Sequence, residues 1–131
     1  MSRRELREQI FKLLFRVEFN SPEDMAEQEE LFFEQEDAAQ GEDADYISDK
    51  FNKISGRITE LDGLLNQKAE GWNTARMGKV DLTILRLAVY EIRYDDSVPT
   101  GVAINEAVEL AKKFGQEASA GFVNGILAKF A

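Results

Sequence analysis

The sequence contains no cysteine and no histidine. Without cysteine there is no disulfide framework, no thiolate nucleophile and no zinc–thiolate site. Without histidine the commonest general base and metal ligand is missing, so an enzyme would have to rely on carboxylates, Lys, Tyr, Ser or Thr. Proline occurs only at Pro22 and Pro99, which leaves few imposed breaks. No run of about 18 apolar residues is present to span a bilayer, and no basic-then-apolar start resembles a signal peptide. These absences point to a cytoplasmic protein that binds rather than catalyses.

What is present fits a single soluble domain, 1–131, large enough for a real core. Apolar residues make up 44% of the chain and charged residues 31%, a globular balance. The net charge of −9 argues against a nucleic-acid partner until its distribution is read. Residues 1–19 carry a net +2, residues 20–49 a net −12 with no Lys or Arg, and residues 50–131 a net +1. Fields decay over about 8–10 Å at working salt, so a basic face can coexist with a distant acidic one.

The periodicity is helical throughout, with no convincing β signal. Ser2-Arg3-Arg4-Glu5 fits a capping box. It opens a first helix whose apolar stripe is Leu6, Ile10, Leu13, Leu14 and Val17. Ser21-Pro22-Glu23-Asp24 predicts the start of a second helix, with Ser as N-cap and Pro in the first turn. After a break at Gln40-Gly41, apolar residues from Tyr46 to Leu65 predict a third, crossed by Gly56 and Gly63. Glu70 to Thr74 reads as a connection with Trp72 packed over an edge. Lys79 to Tyr94 is apolar on nearly every side, as a central helix would be. Val102 to Phe114 follows, with Gly115 expected as a left-handed C-cap, and a last helix runs from Ser119. The fold class is therefore all-α, a compact bundle.

The first helix also carries chemistry. Arg3, Arg7, Phe11 and Phe15 form an i, i+4 row drifting away from the apolar stripe, and Arg4 lies on the same flank. Guanidinium groups beside rings on a solvent-side edge suit single-stranded RNA, meeting phosphates and unpaired bases respectively. The plainer alternative is a solvated basic surface beside Phe11 and Phe15 in a wide core. The acidic run at Glu36, Asp37, Glu42, Asp43 and Asp45 lacks EF-hand spacing and reads as a solvated face. Asp95 and Asp96 sit at a helix end with no sign of a catalytic acid–base pair. Arg86, inside an apolar helix, is expected to be buried against a carboxylate such as Glu106 or Glu109. Asn124-Gly125 within an apolar helical run suggests close helix packing or a ligand approach.

Several segments together carry a family resemblance. They are the Arg3-Arg4 pair with Arg7, Leu61-Asp62-Gly63-Leu64, Val80-Asp81-Leu82 and Ile84-Leu85-Arg86-Leu87-Ala88-Val89-Tyr90-Glu91. Further on come Val98-Pro99, Val102-Ala103-Ile104-Asn105-Glu106-Ala107, Leu110-Ala111-Lys112-Lys113-Phe114-Gly115 and Phe122-Val123-Asn124-Gly125. In order and spacing this set resembles the NusB family of bacterial transcription antitermination factors, densest from Val80 onward. The resemblance implies six to seven helices arranged as two three-helix bundles. It also implies binding rather than catalysis, with no cofactor and no metal. The implied partners are single-stranded boxA-like RNA and NusE, a small-subunit ribosomal protein, within the RNA polymerase antitermination complex that reads through terminators in ribosomal RNA operons.

Carried over by position, Arg3, Arg4, Arg7, Phe15, Phe122 and Asn124 are the RNA-binding candidates, and Arg76 and Asp81 the NusE-facing ones. Phe15 stands where the family often has Tyr, keeping the ring but losing a hydroxyl. Gly121 replaces a basic residue frequent just before Phe122. Family members occur as monomers and as dimers, so a homodimer is a further implied partner. Two alternatives stay beside this reading. NusB-like domains also precede RNA cytosine methyltransferases, which need a second domain and a nucleophilic cysteine. A protein-interaction module of the same fold without direct RNA binding would use the acidic segment instead.

Overall fold

The computed structural model describes all residues, Met1–Ala131, and is entirely helical. Seven α-helices follow in order: α1 Arg3–Phe15, α2 Met25–Phe33, α3 Gly41–Ser55, α4 Ile58–Lys68, α5 Lys79–Tyr94, α6 Thr100–Phe114 and α7 Ser119–Leu127. The chain divides into two compact units, Met1–Gly56 and Arg57–Ala131. No helix is long and apolar enough to cross a membrane.

In the first unit, α1 starts as its sequence predicts. Glu5 N donates to Ser2 Oγ at 3.1 Å and Ser2 N donates to Glu5 Oε1 at 3.0 Å, completing the capping box. Ile10, Phe11, Leu13 and Leu14 are buried on α1, which packs against α3, where Ile47, Phe51 and Ile54 are buried. The second helix begins later than its Ser-Pro signal suggests. Ser21 Oγ donates to Asp24 Oδ2 at 3.0 Å and makes no cap, so Pro22–Asp24 forms a 3₁₀ turn before α2. One acid of the negative segment ties α2 to α3: Glu29 accepts from Ser48 Oγ, and from Asn52 Nδ2 at 3.3 Å.

The single helix expected across Tyr46–Leu65 is two. It breaks after Ser55, where the Asn52 carbonyl accepts from both Gly56 N at 3.1 Å and Ser55 Oγ at 3.3 Å. A hydroxyl competing for a helix carbonyl weakens continuation, and Arg57 leaves the helical region at φ −121°, ψ 16°.

In the second unit α5 packs against α4, α6 and α7, and its residues Leu82 to Glu91 are all buried. Arg86 is held there by Asp62 of α4 in a bidentate pair, Nε to Oδ1 and a terminal nitrogen to Oδ2, each 2.8 Å. The structural role expected of Arg86 stands, and Asp62 is a carboxylate that spacing did not suggest. α6 starts at Thr100, directly after Pro99.

Gly115 does not adopt the left-handed conformation expected of it. Its φ is −92° and ψ −171°, ordinary extended backbone. The reason for glycine is steric: a Cβ there would lie 2.5 Å from Ser119 Cβ, 2.6 Å from Ser119 Oγ and 2.7 Å from the Ala111 carbonyl oxygen. The α6–α7 connection is closed tightly by Gln116 N donating to Ser119 Oγ at 2.9 Å and Ser119 N donating to Gln116 O at 3.0 Å.

Candidate nucleic-acid interface

In the first unit the cationic end of α1 remains at the surface. Arg3 and Arg4 are exposed, and Arg7 and Phe15 are half-buried. Phe11 is not on that edge: it is 3% exposed and belongs to the core. The buried face of α1 takes in Ile10 and Phe11 together, so it is wider than the stripe drawn from Leu6, Ile10, Leu13 and Val17. Phe11 instead backs the ring that does reach the surface. Phe15 stacks on it with centroids 6.1 Å apart and planes 27° apart.

Phe15 then meets Phe19 edge-on, at 5.1 Å and 71°. Phe19 is 61% exposed, making it the outermost ring of a three-member ladder. The i, i+4 row of the sequence stops one step short of it, at Phe15, although the same spacing continues to residue 19. Arg16, another cation of this region, is committed to structure. It donates to the Gln28 carbonyl at 3.2 Å and lies 5.2 Å from the Phe32 ring centroid.

The acidic face is also nearer to α1 than the charge distribution suggested. The Met1 ammonium sits 3.0 Å from Asp43 Oδ2, in the first turn of α3, and its pKa is raised chiefly by that hydrogen bond. Glu5 is held below the usual carboxylate range by accepting from the Ser2 backbone and hydroxyl, which keeps it ionised within the cap.

In the second unit, α7 runs through Asn124-Gly125 without interruption. Phe122 is half-buried and Asn124 exposed, while Val123, Ile126 and Leu127 face the core. Close packing does not explain the glycines: nothing lies within 4 Å of a Cβ built on Gly121 or Gly125, and both are exposed. At ~100° per residue they flank Phe122 on one side of the helix. Phe122 is met by Trp72, edge-on at 5.1 Å and 71°.

Arg76 and Asp81 lie on either side of the entry to α5. Arg76 is exposed in a 3₁₀ turn, Thr74–Arg76. Asp81 is half-buried in the first turn, where its charge suits the helix dipole. Its Oδ1 atom is buried and accepts no hydrogen bond from the chain.

The fold is shared with known proteins. The NusB family profile matches residues 4–131. Transcription antitermination protein NusB of Agathobacter rectalis is 53% identical over 131 residues, covering all of both chains. Its counterpart in Lachnoclostridium phytofermentans is 51% identical over 129 residues, covering 98% of each. Among solved structures, T. maritima NusB superposes with a TM-score of 0.86 at 35% identity, covering all of this chain and 91% of that one. A structure of antitermination factors NusB and NusE in complex with dsRNA superposes with a TM-score of 0.78 at 25% identity, covering 98% of this chain and 94% of that one. With a family match spanning nearly every residue and relatives more than half identical from end to end, this chain belongs to the NusB family.

Proposed function

We propose that the protein is a transcription antitermination factor that binds single-stranded boxA-type RNA together with NusE and supports read-through in ribosomal RNA operons, acting in the cytoplasm as part of the RNA polymerase antitermination complex. The observation that carries this reading is the surface position of the α1 start: Arg3 and Arg4 are exposed at the end of a helix whose later turns present Phe15. Arginines there meet phosphates, and Phe15 offers a ring to an unpaired base. In the second unit Phe122 offers another ring and Asn124 an amide able to donate to and accept from a base edge.

Arg76 and Asp81 are the NusE-facing pair in this reading. Both stand beside the entry to α5 with side-chain surface left to solvent, Arg76 exposed and Asp81 half-buried, as a partner contact requires. The structure of antitermination factors NusB and NusE in complex with dsRNA supports NusE and RNA as the ligand classes.

The test is a titration of a boxA-like RNA with and without NusE across a salt series. NusE should tighten RNA binding cooperatively. Arg4→Ala and Arg7→Ala together should weaken binding and flatten the log–log salt slope by about 0.7 for each phosphate no longer engaged. Equal slopes for variant and parent would remove the α1 surface, and indifference to both ligands would remove the function.

A further inference from the structure

Trp72 is the only tryptophan of the chain, and it sits at the surface. It is 48% exposed, although burial of an indole is strongly favourable. The segment that presents it is tethered at several points. Ala69 and Met77, at its two ends, are buried. Trp72 N donates to the Ala69 carbonyl at 2.9 Å, and Thr74 N donates to Asn66 Oδ1 at 2.8 Å. Gly71 turns the backbone at φ +79°, a conformation a side chain would resist. Such a segment holds the indole out instead of letting it collapse inward.

The contact with Phe122 is edge-to-face. In that geometry Phe122 covers at most one face of the indole, and the 48% exposure of the residue leaves ring surface for another planar group. Beside Phe122, α7 shows bare backbone at Gly121 and Gly125, with no side chain to obstruct an approaching ring. Between Asp62 and Asp81 the sequence carries Lys68, Arg76 and Lys79 against Glu70. A half-exposed indole on a tethered loop, with side-chain-free backbone beside its Phe122 neighbour and three cations in the loop sequence, fits an unpaired nucleobase better than an apolar protein segment.

We propose that Trp72 is a nucleobase-stacking residue, forming with Phe122 a two-ring platform for an unpaired base of bound RNA. The proposal rests on the RNA-binding reading given above and extends it to a residue outside the candidate set. Stacking of this kind is sequence-tolerant, since every base has a π-face, and it adds affinity without adding a phosphate contact.

The experiment uses the whole chain and a short boxA-like single-stranded RNA, followed by Trp72 emission and by an independent affinity measurement. RNA should quench the emission, and an abasic ribose-phosphate oligomer of equal length should not. Trp72→Ala should weaken binding about tenfold with its salt slope unchanged, while Trp72→Phe should retain most of the affinity. Circular dichroism of both variants, matching the parent, secures the fold. If the parent binds RNA with a salt slope that Arg4→Ala and Arg7→Ala flatten, yet Trp72→Ala binds equally well and emission does not change, the platform is refuted and the RNA-binding reading survives. If NusE alone quenches the emission and RNA adds nothing, Trp72 lies in a protein interface and the proposal is overturned. If the parent binds no RNA in any condition, both fall together.

Discussion

Alanine in place of glycine should have opposite effects at Gly115 and at Gly125, ten residues apart. At Gly115 the dihedral angles suit alanine, so no backbone strain arises. The added methyl, however, falls 2.5 to 2.7 Å from three atoms, and ordinary contact begins at 3.4 Å, so neighbours must retreat by about 0.7 to 0.9 Å. One neighbour is the Ala111 carbonyl, fixed because it accepts from Gly115 N at 2.9 Å. The others belong to Ser119, which is 5% exposed and whose hydroxyl accepts from Gln116 N. Overpacking of this kind costs about 1–3 kcal/mol, and weakening the Gln116–Ser119 bond adds about 1 kcal/mol. The reduced entropy of the unfolded chain returns about 0.4–1 kcal/mol. Gly115→Ala should therefore lose about 2–3 kcal/mol. Gly125 lies within α7, exposed, with nothing near its missing Cβ. There alanine should stabilise by about 0.5–1 kcal/mol through helix propensity. Urea unfolding followed by circular dichroism reads both. With m near 2 kcal/mol/M, the Gly115→Ala midpoint should fall by about 1 M and that of Gly125→Ala should rise slightly. A Gly115→Ala midpoint at or above the parent would refute the steric account of the α6–α7 connection.

Two further outcomes follow from polar contacts in the second unit. Asp62→Ala removes two 2.8 Å hydrogen bonds from Arg86, whose side chain is 8% exposed, and should cost about 3 kcal/mol in the same urea assay, with Asp62→Asn between it and the parent. Tyr94 donates its hydroxyl to Glu60, the largest cause holding that carboxyl below its ordinary range, with Arg57 as the second. A depressed carboxylate contributes stability above its unfolded pKa and loses it as pH falls through the folded one. Tyr94→Phe should therefore raise the Glu60 pKa toward its ordinary value and shallow the acid-side loss of stability, as read by carboxyl NMR titration; an unmoved Glu60 would show that Arg57 alone sets it.

Local rules carried most of the fold because most of it is local. The Ser2 capping box, the stop at Asp95 and the all-round apolar α5 each rest on neighbours in sequence, and each was legible there. The departures have tertiary or competing causes. A glycine ending a helix commonly takes a left-handed cap, whereas at Gly115 it is Ser119 that occupies the space. The break falls at Gly56, a helix-weakening glycine visible in the sequence, and it is accompanied by Ser55 bonding back to Asn52, which apolar periodicity does not register. Phe11 and Phe15 share one helical row, yet one is core and the other half-buried, because burial depends on what α3 covers. Trp72 and Phe122 are fifty residues apart, and no sequence rule brings them together.

These placements bear on how so acidic a chain would bind RNA under the proposed function. Segregation of charge alone would leave a basic strip far from the acids of residues 20–49. Asp43, next to Met1, shows that the acidic segment reaches the start of α1, so the field there is diluted. If Arg3, Arg4 and Arg7 each meet one phosphate, the salt slope should be about 2, and a fourfold rise in salt should weaken binding about twentyfold, close to 2 kcal/mol. The exposed rings of Phe19 and Trp72, with the half-buried Phe15 and Phe122 beside them, would offer more, since each stacked base is worth about 1–3 kcal/mol and is little affected by a neighbouring carboxylate. Stacking should dominate affinity, with the arginines setting orientation. A −9 net charge would then be compatible with RNA binding, provided that bases rather than phosphates are the main point of attachment.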